Sequence, residues 1–252
     1  MRKIALITGA TAGFGKAIAE RLAKEGYNLI VTGRRKERLD ELKTRLETGH
    51  KVEVLPLSFD VRSYDEVEKN LGNLPAGWKN IDVLVNNAGL AVGLNPIHEG
   101  VVDDWERMID TNVKGLLYVT RVISPGMVAR KSGHIVNIGS IAGREVYPNG
   151  NVYCATKHAV AALSQAMRID MLKYGIKTTL VAPGFAETEF SLVRFKGDEK
   201  RAAKVYDGLI PLDAEDIADA VYYALSVPDH VDIQDVLVMP KVQGNATLFN
   251  KE

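Results

Sequence analysis

The chain has 252 residues, 46% apolar and 25% charged, enough to bury a sizeable core in one α/β domain or at most two small ones. Lysine plus arginine equals aspartate plus glutamate at 32 each, so no global field draws in nucleic acid or an acidic membrane, and a small molecule is the expected partner. A single cysteine, Cys154, excludes an internal disulfide and a cysteine-rich metal framework, which points to a reducing compartment.

Met1-Arg2-Lys3 runs straight into the short apolar segment Ile4–Ile7, and glycines follow too early for a signal-peptide apolar region. No later apolar run approaches the roughly 18 residues of a membrane span, so the expectation is a soluble, cytoplasmic protein. Ile4–Ile7 reads as a strand buried on both faces of a parallel sheet. It gives way to Thr8-Gly9-Ala10-Thr11-Ala12-Gly13-Phe14-Gly15, after which Ile18, Ala19, Leu22 and Ala23 recur at helical spacing. Strand, glycine turn and helix form the context of a phosphate-binding loop: Gly9 for the turn, Gly13 for backbone approach to a pyrophosphate, Gly15 for close packing. A plain glycine turn would share these residues, and three residues rather than one separate the first two glycines.

A second strand, 28–32, precedes Gly33-Arg34-Arg35. An acid at this strand end binds a ribose 2′-hydroxyl, whereas arginine accommodates a 2′-phosphate, so the expected cofactor is NADP(H). The alternative is that Arg34 and Arg35 simply open the charged helix 36–47. A third strand, 52–59, closes on Asp60-Val61, with a helix over about 63–71. Strand 81–85 ends in Asn86-Asn87-Ala88-Gly89, two amides and two small residues at the carboxyl edge where open α/β sheets bind ligands. The amphipathic stretch 103–130 predicts one long helix containing Asn112, a poor mid-helix residue that either faces solvent or marks a kink. A fifth strand, 133–138, delivers Gly139-Ser140-Ile141-Ala142-Gly143.

The helix that follows carries Tyr153 and Lys157, four apart and therefore on one face. A free phenol titrates at about 10, and a neighbouring ammonium favours the phenolate, so the pair reads as a tuned acid/base with a lowered tyrosine pKa. Tyrosine and lysine at this spacing also occur by chance on helix surfaces. Strand 176–181 ends at Ala182-Pro183-Gly184; 185–207 reads as irregular and aromatic; 214–225 is helical; 236–239 looks like a final strand. Alternation throughout implies one Rossmann-like, doubly wound, seven-stranded parallel sheet with helices on both faces, a cofactor half of about 1–140 and a catalytic half of about 141–252. The five histidines lack metal-ligand spacing, and no metal is expected.

In order, Thr8-Gly9-(three)-Gly13-(one)-Gly15, Asn86-Asn87-Ala88-Gly89, Asn112, Ser140, Tyr153-(three)-Lys157 and Pro183-Gly184 make the whole chain resemble the compact short-chain dehydrogenase/reductase family. The resemblance implies that Tyr153 gives or takes the proton, that Lys157 lowers its pKa and holds the nicotinamide ribose, and that Ser140 hydrogen-bonds the substrate oxygen. It implies that Asn112, at a helix kink, holds a water in a relay to the lysine. It sets the cofactor against Gly9, Thr11, Gly13, Phe14 and Gly15 of the loop, Arg34 and Arg35, and Asp60 and Val61 near the adenine. Asn87, Ala88, Gly89, Pro183 and Gly184 complete that lining, with Thr188 at the carboxamide.

The stretch Thr188–Asp198, with Asn86–Leu90 and Asp110–Asn112, looks like that of the branch that oxidises short 3-hydroxy acids with NADP, such as serine, allo-threonine or 3-hydroxypropionate. Sulfoacetaldehyde reductases and 3-oxoacyl carrier-protein reductases are the neighbouring alternatives, and a non-catalytic dinucleotide-binding protein is a third. A small anionic substrate needs a cation, for which arginine's planar fork suits a carboxylate or sulfonate. Arg194, in the loop that closes over the substrate, is the leading candidate and Arg144 the second; Phe185 is expected in the same pocket. Cys154 reads as a small buried residue. Compact relatives of this kind form homotetramers, which is the expected assembly.

Overall fold

The structure is a computed structural model that describes residues 2–200, 205 and 207–250. The seven strands are β1 (Ile4–Ile7), β2 (Asn28–Gly33), β3 (Val54–Ser58), β4 (Val83–Asn86), β5 (His134–Ile138), β6 (Lys177–Pro183) and β7 (Asp235–Val238). They pair in the order β3-β2-β1-β4-β5-β6-β7, every pairing parallel, so the doubly wound α/β sheet expected from the alternation is the fold. The order reverses between β1 and β4. There the connections leave in opposite directions and open a crevice at the strands' carboxyl ends.

The central strands are buried on both faces because helices cover each side. On one side lie α1 (Gly13–Lys24), α2 (Lys36–Gly49) and α8 (Ala214–Ser226), around a core that includes Ile7, Ile18, Leu22, Leu39 and Ile217. On the other lie α3 (Tyr64–Leu71), α5 (Leu116–Arg130) and α6 (Asn151–Met171), around Leu6, Leu84, Val119, Met127 and Ile135. A third, smaller apolar cluster, including Leu90, Val92, Met108, Ala142 and Tyr153, lies outside the strand ends and floors the crevice.

Two departures from the sequence reading bear on the site. The stretch 103–130 is not one α-helix: α4 (Val102–Ile109) passes through a wide π-helical turn, Asp110–Gly115, before α5 begins. Asn112 sits in that turn, 1% exposed, so it faces protein and not solvent. Within the stretch expected to be irregular, α7 (Glu189–Arg194) forms a short helix whose first turn Thr188 caps by accepting a hydrogen bond from Phe190 N–H. Of that stretch, 201–204 and 206 lie outside the described residues. No helix among the described residues is long and apolar enough to cross a membrane.

Candidate active site

Gly9 at φ +68° and Gly13 at φ +51° hold the β1–α1 loop in left-handed backbone. Gly15 is needed for a different reason: a Cβ there would stand 2.4 Å from both the Gly9 carbonyl oxygen and Asn87 Nδ2. β4 braces the loop from the side. Thr8 Oγ1 accepts from the N–H groups of Asn87 and Ala88, each at 3.0 Å, and Asn87 Nδ2 donates to the carbonyls of Thr8 and Gly9. Neither a capping side chain nor a first-turn acid covers the start of α1, which leaves its N–H groups to an anion in the cavity. Asn86, the other amide of the pair, turns inward and joins β4 to Thr120 and Asn137 at 3.0 and 2.9 Å. Its role is to lock the sheet.

The loop borders a cavity of about 570 Å³ that continues past β2 and β3 on one side and past Tyr153 on the other. Arg34, Arg35, Asp60 and Val61 line the first arm. Arg35 lays Nε and Nη2 on Thr11 Oγ1 at 3.1 and 2.8 Å, and Arg34 is 3.9 Å from the Asp60 carboxylate. Burial pushes the Asp60 carboxyl up, but hydrogen bonds from the Arg62 side chain and N–H outweigh it and hold the pKa below the usual carboxylate range. Ala88, Gly89, Pro183, Gly184, Phe185 and Thr188 line the middle of the cavity, with Thr188 opposite Gly13.

Ser140, Tyr153 and Lys157 meet at the far arm. Ser140 begins the turn after β5, its hydroxyl accepting from Ala142 N–H at 3.1 Å. Lys157 is buried, donates from Nζ to the Ile138 carbonyl at 2.9 Å, and has its pKa lowered by that burial to about 8. The Tyr153 phenol departs from the expectation of a lowered pKa. Burial in the apolar cluster raises it well above the ordinary value, the Tyr147 phenol adds to the rise, and Arg194 and the Ser140 hydroxyl pull against it. Lys157 stands 5.9 Å from the Tyr153 ring centre, and the cation that acts on the phenol is Arg194. Desolvation outweighs the pair's own electrostatics.

Asn112 is at the base of this arm. Its Oδ1 accepts from Leu90 N–H at 2.8 Å, and its Nδ2 donates to the Leu90 carbonyl at 2.8 Å and Thr156 Oγ1 at 3.0 Å. The side chain thus splints the loop after β4 to α6, one residue from Lys157. Asn112 makes these bonds from within the π-helical turn Asp110–Gly115, a departure from regular helix of the kind found at functional sites.

The two arginines proposed for a substrate anion part company. Arg144 points away from the cavity, exposed and ion-paired with Asp235 on β7, because the 3-10 turn Ile141–Gly143 swings the chain outward before it. Arg194, the last residue of α7, returns over the site: its guanidinium carbon is 5.1 Å from the Tyr153 ring centre, 5.4 Å from that of Phe190 and 5.6 Å from that of Tyr147. One Nη donates to the Tyr147 hydroxyl, and Nε is buried with no hydrogen-bond partner.

Several lining residues carry no local signal in the sequence. Arg107 comes from α4, Phe190 from α7, and Gln243 and Phe249 from the segment after β7. Phe249 packs edge-on to Phe185 at 5.3 Å, and Gln243 Oε1 accepts from Phe185 N–H at 2.7 Å, so the chain's last segment closes one wall. Tyr147, in the loop between Gly143 and α6, lines the cavity as well. Cys154 is buried beside the site as a free thiol, its pKa raised by burial. Among the described residues no group of three His, Cys, Asp or Glu side chains is arranged to hold a metal ion.

The short chain dehydrogenase family matches residues 3–198. The chain belongs to that family. It is 50% identical over 246 residues to the NADP-dependent 3-hydroxy acid dehydrogenase YdfG of Salmonella typhi, covering 97% of this chain and 98% of that one. Against the protein of the same name from Escherichia coli (strain K12) the identity is 49% with the same coverage. Among solved structures, the closed form of serine dehydrogenase complexed with NADP+ superposes with a TM-score of 0.92 at 48% identity, covering 99% of both chains.

Proposed function

We propose that this short-chain dehydrogenase is an NADP(H)-dependent oxidoreductase that interconverts a short 3-hydroxy acid and its 3-oxo acid or semialdehyde. The observation that carries the reading is Arg194: a half-buried guanidinium 5.1 Å from the Tyr153 ring, with a buried Nε that has no hydrogen-bond partner in the protein. A buried unpaired donor on a charged group is costly, and a carboxylate tethered next to the reacting carbon satisfies it. Relatives named for 3-hydroxy acids and for serine support the same substrate class.

The residues fit the cofactor. Gly9, Gly13 and Gly15 leave a cradle that a Cβ would fill or strain, and Thr11, Arg34 and Arg35 offer a hydroxyl and two guanidiniums for a 2′-phosphate. Phe14 and Thr188 flank the loop, Asp60 and Val61 bound the adenine arm, and Asn87, Ala88, Gly89, Pro183 and Gly184 wall the nicotinamide arm. When bound, the nicotinamide supplies or accepts the hydride and, in its oxidised form, adds a positive charge to the site.

Tyr153 is the proton donor and acceptor for the substrate oxygen, held by the Ser140 hydroxyl. With its pKa raised by burial, the phenol is protonated at neutral pH, the form required to reduce a carbonyl; oxidation needs the extra positive charge of the oxidised cofactor. Lys157, at about 8, is close enough to neutrality to pass a proton. Both Nδ2 hydrogens of Asn112 are committed to Leu90 and Thr156 and its Oδ1 accepts one bond from Leu90 N–H, so a relay water at this side chain would have to donate to the remaining Oδ1 lone pair.

The chain acts as one domain, its cofactor half about 1–140 and its catalytic half about 141–252. It works in the cytoplasm as a homotetramer, a reading supported by exposed Val102, Ile109, Leu117 and Ile169 on α4, α5 and α6. The test of function is a cofactor-reduction assay at 340 nm with L-serine, allo-threonine, 3-hydroxypropionate and 2-hydroxyethanesulfonate, with NADP+ and NAD+ in parallel. Turnover of the carboxylates with NADP+ is expected. Turnover confined to the sulfonate would move the assignment to a sulfoacetaldehyde reductase, and none at all would refute it.

A further inference from the structure

Glu189, the first residue of α7, sits on the guanidiniums at the cofactor's adenine end. Its Oε2 accepts from Arg35 Nη1 at 3.0 Å and its Oε1 from Arg38 Nη1 at 2.8 Å. Burial pushes this carboxyl up, but hydrogen bonds from Arg38 and then Arg35 hold its pKa below the ordinary range, so it stays ionised. A carboxylate spread across two arginines is the arrangement a phosphate monoester would itself take.

Arg35 is also on Thr11 and lines the cavity, so Glu189 competes for one of the two cations the 2′-phosphate needs. The other end of the same short helix is Arg194, over the Tyr153 ring, and α7 spans only about 7–8 Å at 1.5 Å per residue. Beyond it the chain is tied down: the Arg194 carbonyl accepts from Gly93 N–H at 3.1 Å, and Lys196 pairs with the buried Asp104 carboxylate at 2.9 Å. On the cofactor side the helix is held by the Thr188 cap, by the Glu187 N–H on the Leu212 carbonyl at 2.8 Å, and by the two half-exposed ion pairs of Glu189, and of these the ion pairs are the part that an incoming anion can exchange.

We infer that Glu189 is a cofactor-discriminating residue: an internal anion that holds Arg35 and Arg38 until a ribose 2′-phosphate displaces it, freeing the cofactor end of α7. A dinucleotide with a bare 2′-hydroxyl offers no competing anion and leaves the tether closed. The inference rests on the NADP(H) reading, and the probes chosen separate the two.

Titration calorimetry of the wild-type apoprotein and Glu189→Gln with 2′,5′-ADP and 5′-AMP gives the first readout. Tighter binding of 2′,5′-ADP by Glu189→Gln is expected, on the order of 2- to 20-fold, the range two exposed pairs allow, with 5′-AMP unchanged. Amide hydrogen exchange gives the second: 2′,5′-ADP should speed exchange in 190–193 of the wild type, and 5′-AMP should not. Weaker or unchanged 2′,5′-ADP binding by Glu189→Gln, or slower exchange in α7 on adding it, would overturn the inference by making Glu189 a brace and not a competitor. Failure of the wild type to prefer 2′,5′-ADP over 5′-AMP would instead overturn the NADP(H) reading, and the inference with it.

Discussion

Arg194→Met tests the cation proposed for the substrate separately from the rest of the site. Methionine keeps an unbranched stem over Tyr153, Phe190 and Tyr147 and removes the guanidinium whose Nε lacks a partner. A charge-assisted hydrogen bond contributes about 1.5–3 kcal/mol, and with one Nη held by the Tyr147 hydroxyl the substrate loses one to two such bonds. A total of about 2–4 kcal/mol corresponds to a roughly 30- to 1000-fold fall in kcat/KM for a 3-hydroxy carboxylate. A neutral secondary alcohol should lose far less, about 3- to 10-fold, because Arg194 also opposes the rise in the Tyr153 pKa and that help disappears for every substrate. The assay is steady-state NADP+ reduction with both substrates, alongside the NADP+ dissociation constant, which should not move. Equal losses for acid and neutral alcohol would refute the role, since they would mean that Arg194 serves the phenol or the fold.

Arg35→Ala should weaken NADP+ binding about 10- to 100-fold while leaving NAD+ binding within about threefold, measured by titration; loss for both cofactors would mark Arg35 as a structural prop for Thr11. His134 is buried on β5, and burial lowers its pKa to about 3, so it is neutral in the fold but protonates at about 6.5 once unfolded. Stability should therefore fall as pH drops from 6.5 towards 3, and His134→Gln should flatten that limb in urea titrations; an unchanged limb would exclude the histidine as its source. Lys157 is charged and buried with only a carbonyl for company, so its cost is full below about pH 8 and fades as pH rises to 10.5. Lys157→Met should abolish turnover yet match or exceed the wild type's thermal stability at pH 7, the difference shrinking by pH 10.

What the sequence exposed and what it hid divide along range of interaction. The parallel strands were legible because Ile4–Ile7 and Val83–Val85 are buried on both faces and need no alternation. The glycine loop was legible because Gly9 and Gly13 answer to their own backbone angles and Gly15 to an atom six residues away. Tyr153 and Lys157 could be placed on one face by spacing alone. Their proton affinities could not, since these depend on Leu90, Ala142 and Phe190, which tertiary folding gathers around the phenol.

Arg144 and Arg194 looked alike in sequence. Only the outward turn after Ser140 and the pairing of β6 with β7 give Arg144 to Asp235. Asn112 announced a departure from regular helix, but its partner Leu90 lies 22 residues back, beyond any local pattern. Phe249 and Gln243 reach the cavity from the far end of the chain with no motif to announce them.

The most direct measurement is a single-turnover experiment on Tyr153→Phe with NADP+ and L-serine, read at 340 nm beside a cofactor-binding titration. A phenylalanine keeps the ring against Phe190 and Arg194 and removes only the phenolic oxygen proposed to transfer the proton. Hydride transfer should drop by about 10²- to 10⁴-fold, the scale of a lost general acid/base, with NADP+ affinity within about threefold of wild type. Transfer at an undiminished rate would contradict the assignment of Tyr153, and with it the chemistry proposed for this site.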